Sequence, residues 1–142
     1  MKSSVDPFAA SISINRFAPE ALSVLRIVSA YLFLLHGSAK LLGAPKIEMF
    51  ANLELMSMPG IAGIIELVGG VLVLIGLFTR PTAFVMSGTM AFAYFIAHAS
   101  QGNPLFPLMN GGEAAVLFCF VFLYIAVAGA GPWSVDSARR RR

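Results

Sequence analysis

Six ionisable side chains stand within or at the edge of otherwise apolar runs: Arg26, His36, Lys40, Glu66, His98 and Glu113. A charge carried into lipid costs about 2.5–3.5 kcal/mol on insertion scales, so such residues need partners and mark candidate proton or ligand sites. A histidine and a carboxylate can hand on a proton, while a lysine holds charge in register or donates to an acceptor. A His/Glu/Lys set in a semi-dry cavity therefore suits proton movement, or hydrogen bonding of a carbonyl-bearing ligand such as a quinone. On this reading His36 and Glu66 are the candidate catalytic residues, and Arg26, Lys40, Tyr94, His98 and Glu113 the candidate ligand-binding ones. The structural alternative is a polar clasp, because a buried Glu66 needs His36 or Lys40 as a partner whatever the function. His98 and Glu113 could equally be solvated at the interface. Haem held by His36 and His98 is disfavoured, since their depths differ. No metal site is expected: structural zinc needs four well-placed ligands, and Cys119 is the single cysteine. That lone thiol also excludes an intrachain disulfide.

These residues are carried by four apolar runs, at about 20–42, 61–78, 81–98 and 113–131. Each approaches the roughly 17–25 residues that a spanning helix requires, and backbone groups in lipid must bond internally, so the runs are expected to be helical. The fold class is thus all-α, a four-helix transmembrane bundle over residues 19–132. It is preceded by a cytoplasmic segment, 1–18, and followed by a basic cytoplasmic tail, 133–142. At about 100° per residue, Arg26, His36 and Lys40 share one face of the first helix. Gly63, Glu66, Gly69, Gly70 and Gly76 crowd one side of the second, a surface suited to close packing within the bundle or to a dimer seam. Thr79-Arg80-Pro81 is read as a tight turn before the third helix, and residues 43–60 as a loop with a possible short interfacial helix or lid.

Lys and Arg set the orientation. Lys2, Arg16, Arg80 and Arg139 to Arg142 fall on the side that also holds both termini, which the positive-inside rule places in the cytoplasm. His36 and Glu66 then lie some 8–9 Å below the outer boundary, with Lys40, His98 and Glu113 at it, so these five are expected to converge on the outer half. Arg26 stands alone in the inner half, free to snorkel toward headgroups.

Composition agrees with a bilayer as solvent. The chain has 142 residues, 58% hydrophobic and 12% charged, with a mean hydropathy of +0.81. Soluble domains carry about 25% charged residues, so too little polar material exists to coat a water-facing surface. The net charge of +3 arises largely from the terminal arginines, which read as a topology signal or an anionic-lipid contact; nucleic acid is not an expected partner. Arg26 within the first run argues against a cleavable signal peptide.

Several of these residues also form a family pattern. Arg26-Ile27 with His36-Gly37-Ser38-Ala39-Lys40, Glu66-Leu67-Val68-Gly69-Gly70 with Leu74 to Arg80, Asn110-Gly111-Gly112-Glu113, and Gly129 to Asp136 resemble, in order and spacing, the DoxX family. The resemblance runs from about Pro19 to Asp136. It implies a four-helix bacterial inner-membrane protein, some of whose relatives serve membrane oxidoreductase systems handling thiosulfate and quinone, or thiol stress beside soluble redox enzymes. Carried onto this chain, the polar motif falls on Arg26, His36, Lys40, Glu66 and Glu113. The expected function is a membrane subunit of an oxidoreductase system that binds a small quinone-like or sulfur-containing molecule in the outer half of the bundle. Soluble redox proteins and a homodimer are possible partners. The alternatives are a proton-coupled carrier of a small solute and a membrane scaffold for soluble proteins.

Overall fold

The computed structural model describes residues 14–141; Lys2, the rest of segment 1–13 and Arg142 lie outside the described residues. All regular elements among those described are helical: α1 (Ala18–Leu42), α2 (Met58–Ile75), α3 (Thr79–Ala93), α4 (Pro107–Asn110), α5 (Glu113–Ala128) and α6 (Val135–Arg140). A π-helical turn, Tyr94–His98, and a 3-10 turn, Ala99–Gln101, prolong α3. Three helical stretches are long and apolar enough to cross a membrane: Ala18–Leu42, Met58–Ile75 and Thr79–Gln101. α5 is apolar too, but its 16 residues make it only about 24 Å long.

Local chemistry sets the ends. Ser57 caps α2 by accepting from the Gly60 N–H, with Pro59 in the first turn. Gly76 ends α2 in the left-handed region at φ 72°, which glycine adopts without penalty. The turn between α2 and α3 therefore falls at Gly76 to Phe78, earlier than the expected Thr79-Arg80-Pro81. Pro81 lies inside the first turn of α3, where its missing N–H is not needed. The Phe78 and Thr79 N–H groups are instead met by Asp136, whose two carboxylate oxygens accept at 3.0 and 2.9 Å. The tail is thus not a loose appendage: α6 is pinned to the turn, with the Asp136 N–H donating to the Gly76 carbonyl.

Neighbouring long helices run antiparallel. α1 meets α2 where Lys40 reaches Glu66 and Arg26 reaches Val73; α3 meets α5 where the Ser87 hydroxyl donates to the Cys119 carbonyl and Arg80 reaches Val127. The core between the pairs holds Ala30, Phe33, Val73, Met86, Phe122 and Ile125, all buried, with the Phe33 and Phe122 rings edge to face at 4.8 Å. The glycines serve packing within the chain: a Cβ on Gly37 would run into the Leu67 backbone nitrogen, one on Gly70 into Leu34, and one on Gly69 into Met86. Facing outward are Val28, Leu32, Val68, Phe84, Phe92, Leu117 and Phe120, each substantially exposed. A belt of that size is stable only in contact with lipid or another apolar surface.

Candidate ligand site

Lys40 lies in the last turn of α1 and Glu66 near the middle of α2. Gly63, Glu66 and Gly70 follow helical spacing along one face of α2, and that face is turned to α1. Without side chains at Gly37, Gly63 and Gly70 the two backbones come close enough for Lys40 Nζ to meet Glu66 Oε1 at 2.6 Å. The Lys40 and Glu66 side chains are 13% and 3% exposed, so the pair is shielded from lipid on both sides. The other carboxylate oxygen, Oε2, is buried without a hydrogen-bond partner among the described residues. A carboxylate accepts on both oxygens, so that atom is left wanting a donor. Because α2 begins at Met58, Glu66 is about 12 Å along it, deeper than the sequence suggested.

The segment after α1 folds back over this pair. Its short helix is a 3-10 turn, Glu48–Phe50, and Lys40 Nζ lies 5.7 Å from the Phe50 ring centre. Beneath it is a cavity of about 400 Å³ whose lining includes Lys40, Lys46, Ile47, Phe50 and Leu53. Lys46 and Phe50 were not among the residues singled out from the sequence. The available signal was their place in a loop of mixed apolar and charged character.

The remaining candidates divide into separate groups. His36 is exposed and stands edge-on to Phe118 at 6.0 Å. It lies about 40° beyond Lys40 around α1, enough to turn it from the α1–α2 seam to the outer edge beside α5. It makes no hydrogen bond to Glu66 among the described residues. Arg26 does not snorkel: it is fully buried, and its guanidinium donates to the carbonyls of Val73, Leu74, Ala130 and Trp133. It is thereby fixed at the terminus end of the bundle, away from Lys40 and Glu66.

At the other end a second polar cluster forms where α3 loses regular α-helical winding. The Tyr94 hydroxyl donates to the Pro104 carbonyl at 2.7 Å and accepts from Asn110 Nδ2 at 3.3 Å. His98 Nδ1 pairs with the Asn110 carbonyl at 3.2 Å, and its ring stacks on Tyr94. Gly112 is required there, because a Cβ would press into the Tyr94 ring. Asn110 is the hub of this cluster and was visible only as part of a motif. Glu113 starts α5 as an exposed residue. The five residues expected to converge thus share one end of the bundle but not one site. Lys40 and Glu66 touch, His98 joins Tyr94 and Asn110 instead, and His36 and Glu113 are exposed. No hydrogen bond joins the first pair to the His98 cluster among the described residues.

Outside the spans, burial alone would raise the Asp136 pKa, but donation from Thr79 and Phe78, with Arg139 nearby, holds it below the usual carboxylate value.

A family model described as DoxX matches residues 21–99, a stretch that contains most of α1, all of α2 and α3 and the Lys40–Glu66 pair. An uncharacterized protein of Haemophilus influenzae is 45% identical over 128 residues, covering 88% of this chain and 95% of that protein. "Putative oxidoreductase CatD" of Bacillus subtilis is 29% identical over 115 residues, covering 80% of this chain and 82% of its own. "Inner membrane protein YqjF" of Escherichia coli is 28% identical over 124 residues, with 80% and 87% covered. No solved structure matches.

Proposed function

This chain belongs to the DoxX family, and from that premise we propose that it is the membrane subunit of an oxidoreductase system, binding a small quinone-like or sulfur-containing molecule at the end remote from its termini. It is a multi-pass inner-membrane protein. The observation that carries the reading is the buried Lys40–Glu66 pair, with one carboxylate oxygen unsatisfied, and the cavity that Lys40 lines together with Lys46 and Phe50. Lys40 has donors to spare after meeting Glu66, so it can hold a ligand carbonyl or anionic sulfur group while the Phe50 ring covers the ligand. Glu66 Oε2 can take up or give a proton at that atom, and His36 stands at the flank. The distant likeness to a protein named as an oxidoreductase favours redox service over transport. Soluble redox proteins are the partners that fit this reading, and it is compatible with a second copy of this chain.

The same reading counts α5 as a fourth span and puts both termini in the cytoplasm. Its support is the antiparallel packing of α5 on α3, the outward Leu117, Phe120, Tyr124 and Val127, and the arginines gathered at one end.

The test is melting of the full-length protein in lipid nanodiscs with decylubiquinone and, separately, with thiosulfate. At a hundredfold excess over Kd a bound ligand adds about 2.7 kcal/mol, and Lys46→Gln should weaken that effect. If neither compound raises the melting temperature, the ligand assignment is wrong.

A further inference from the structure

The arginines at the terminus end take no part in that reading, and they differ in what they leave free. Arg26 is buried, with Nε, Nη1 and Nη2 all donating to carbonyls. Arg80 is exposed: Nη1 donates to Ala126 and Val127, and Nη2 to Ala128. Its Nε–H and one Nη2 hydrogen remain without a partner among the described residues. That edge of a guanidinium presents two parallel donors, the geometry that grips two oxygens of one phosphate.

Gly129 keeps the edge open. A Cβ there would lie 3.2 Å from Arg80 Nη2 and 3.4 Å from Nε, and its φ of 98° favours glycine in any case. The space in front is a cavity of about 400 Å³ lined by Arg80, Gly129, Ser134, Asp136, Ser137 and Arg140, among others. Asp136 is an ionised carboxylate in that lining, with both oxygens engaged by the backbone N–H groups of Phe78 and Thr79 and its charge opposed by nearby Arg139. The site sits at the ends of membrane helices, flanked by exposed Phe78, Val127 and Trp133, which are surfaces for acyl chains rather than for a soluble ion's hydration shell.

We propose that this cavity seats the phosphodiester of an anionic glycerophospholipid, with the Arg80 Nε/Nη2 edge on two phosphate oxygens and Arg140 closing on it from α6. Arg139 and Arg141, also exposed, add diffuse attraction for such lipids but do not form the seat.

Trp133 is the single tryptophan and stands beside the site, so it reports directly. Full-length protein in nanodiscs is examined for Trp133 quenching by brominated phosphatidylglycerol and by brominated phosphatidylcholine at equal mole fraction. The expected result is a preference of about fivefold or more for the anionic lipid. Arg140→Gln, which leaves the α5 carbonyls capped, should remove most of that preference. Arg80→Lys should remove it too, although the charge is kept, because the fork is lost; Arg141→Gln should leave most of it. Equal quenching by both lipids overturns the proposal. So does a loss in Arg141→Gln as large as in Arg140→Gln, which would mean a diffuse basic surface. Competition by millimolar inorganic phosphate would assign the seat to the free ion, and a soluble acidic protein that displaces the lipid from wild type alone would assign it to a protein partner; either result also overturns it.

Discussion

Lys40 and Glu66 neutralise each other where each alone would be a bare charge within a membrane helix pair. Removing one partner of a buried ion pair costs about 3–5 kcal/mol, while replacing both by apolar groups of similar shape is often close to neutral. Lys40→Met is therefore expected to lower stability more than the double variant Lys40→Met with Glu66→Gln. Unfolding of wild type, the two single variants and the double variant in the same detergent checks this, and a double variant as unstable as the sum of its parts would exclude coupling. The buried Arg26 makes the stronger demand. Its guanidinium reaches the end of α2 and the segment after α5 together, and hydrogen bonds to a charged group are worth about 1.5–3 kcal/mol each. Arg26→Lys keeps the charge but cannot span those carbonyls. Its melting temperature should fall further than that of Arg80→Lys, whose carbonyl partners lie at an exposed site.

Between elements, close approach and capping decide the packing. Gly37 sits where α1 crosses the Glu66–Leu67 backbone, so Gly37→Ala must push α1 from α2, with overpacking costs of about 1–3 kcal/mol. Gly88 faces open space on α3, with nothing within 4 Å of where an added methyl would stand, so Gly88→Ala should be tolerated in the same thermal assay. Asp136 serves α3 from a distant part of the chain, and loss of such a cap costs about 1 kcal/mol. Because its folded pKa lies below the unfolded value, near 3.9, its contribution is full above that value and disappears as pH falls through the folded one. Melting between about pH 3 and pH 6 should thus decline at the acid end for wild type, and the decline should be smaller in Asp136→Asn.

For the whole molecule, the charge distribution and the reach of α5 set the topology. The described arginines lie at the terminus end, while Lys40, Lys46, Glu48, Glu54, Glu66 and Glu113 lie toward the other. With four spans, a reporter after residue 142 is cytoplasmic and one inserted at Asn103 is not. With three, α5 would leave both on the same side. Paired reporter fusions distinguish the two, and a shared location would remove the four-span reading.

Apolar runs were enough to read a helical membrane protein from the sequence, since each is a local property that lipid enforces residue by residue. The DoxX resemblance rested on the order and spacing of motifs between Arg26 and Asp136, and the family model bears it out. The Lys40–Glu66 pair was among the anticipated partnerships, because a carboxylate at that depth has few ways to be neutralised. Tertiary structure alone decided which cation it takes. Lys40 lies on the seam, whereas His36, about 40° further around the same helix, falls on its outer edge. It alone also decided that Arg26 binds carbonyls, that Asn110 joins Tyr94 to His98, and that Asp136 caps a helix more than fifty positions earlier. Those contacts join residues far apart in the chain, and they depend on crossing positions and loop paths that no local spacing encodes.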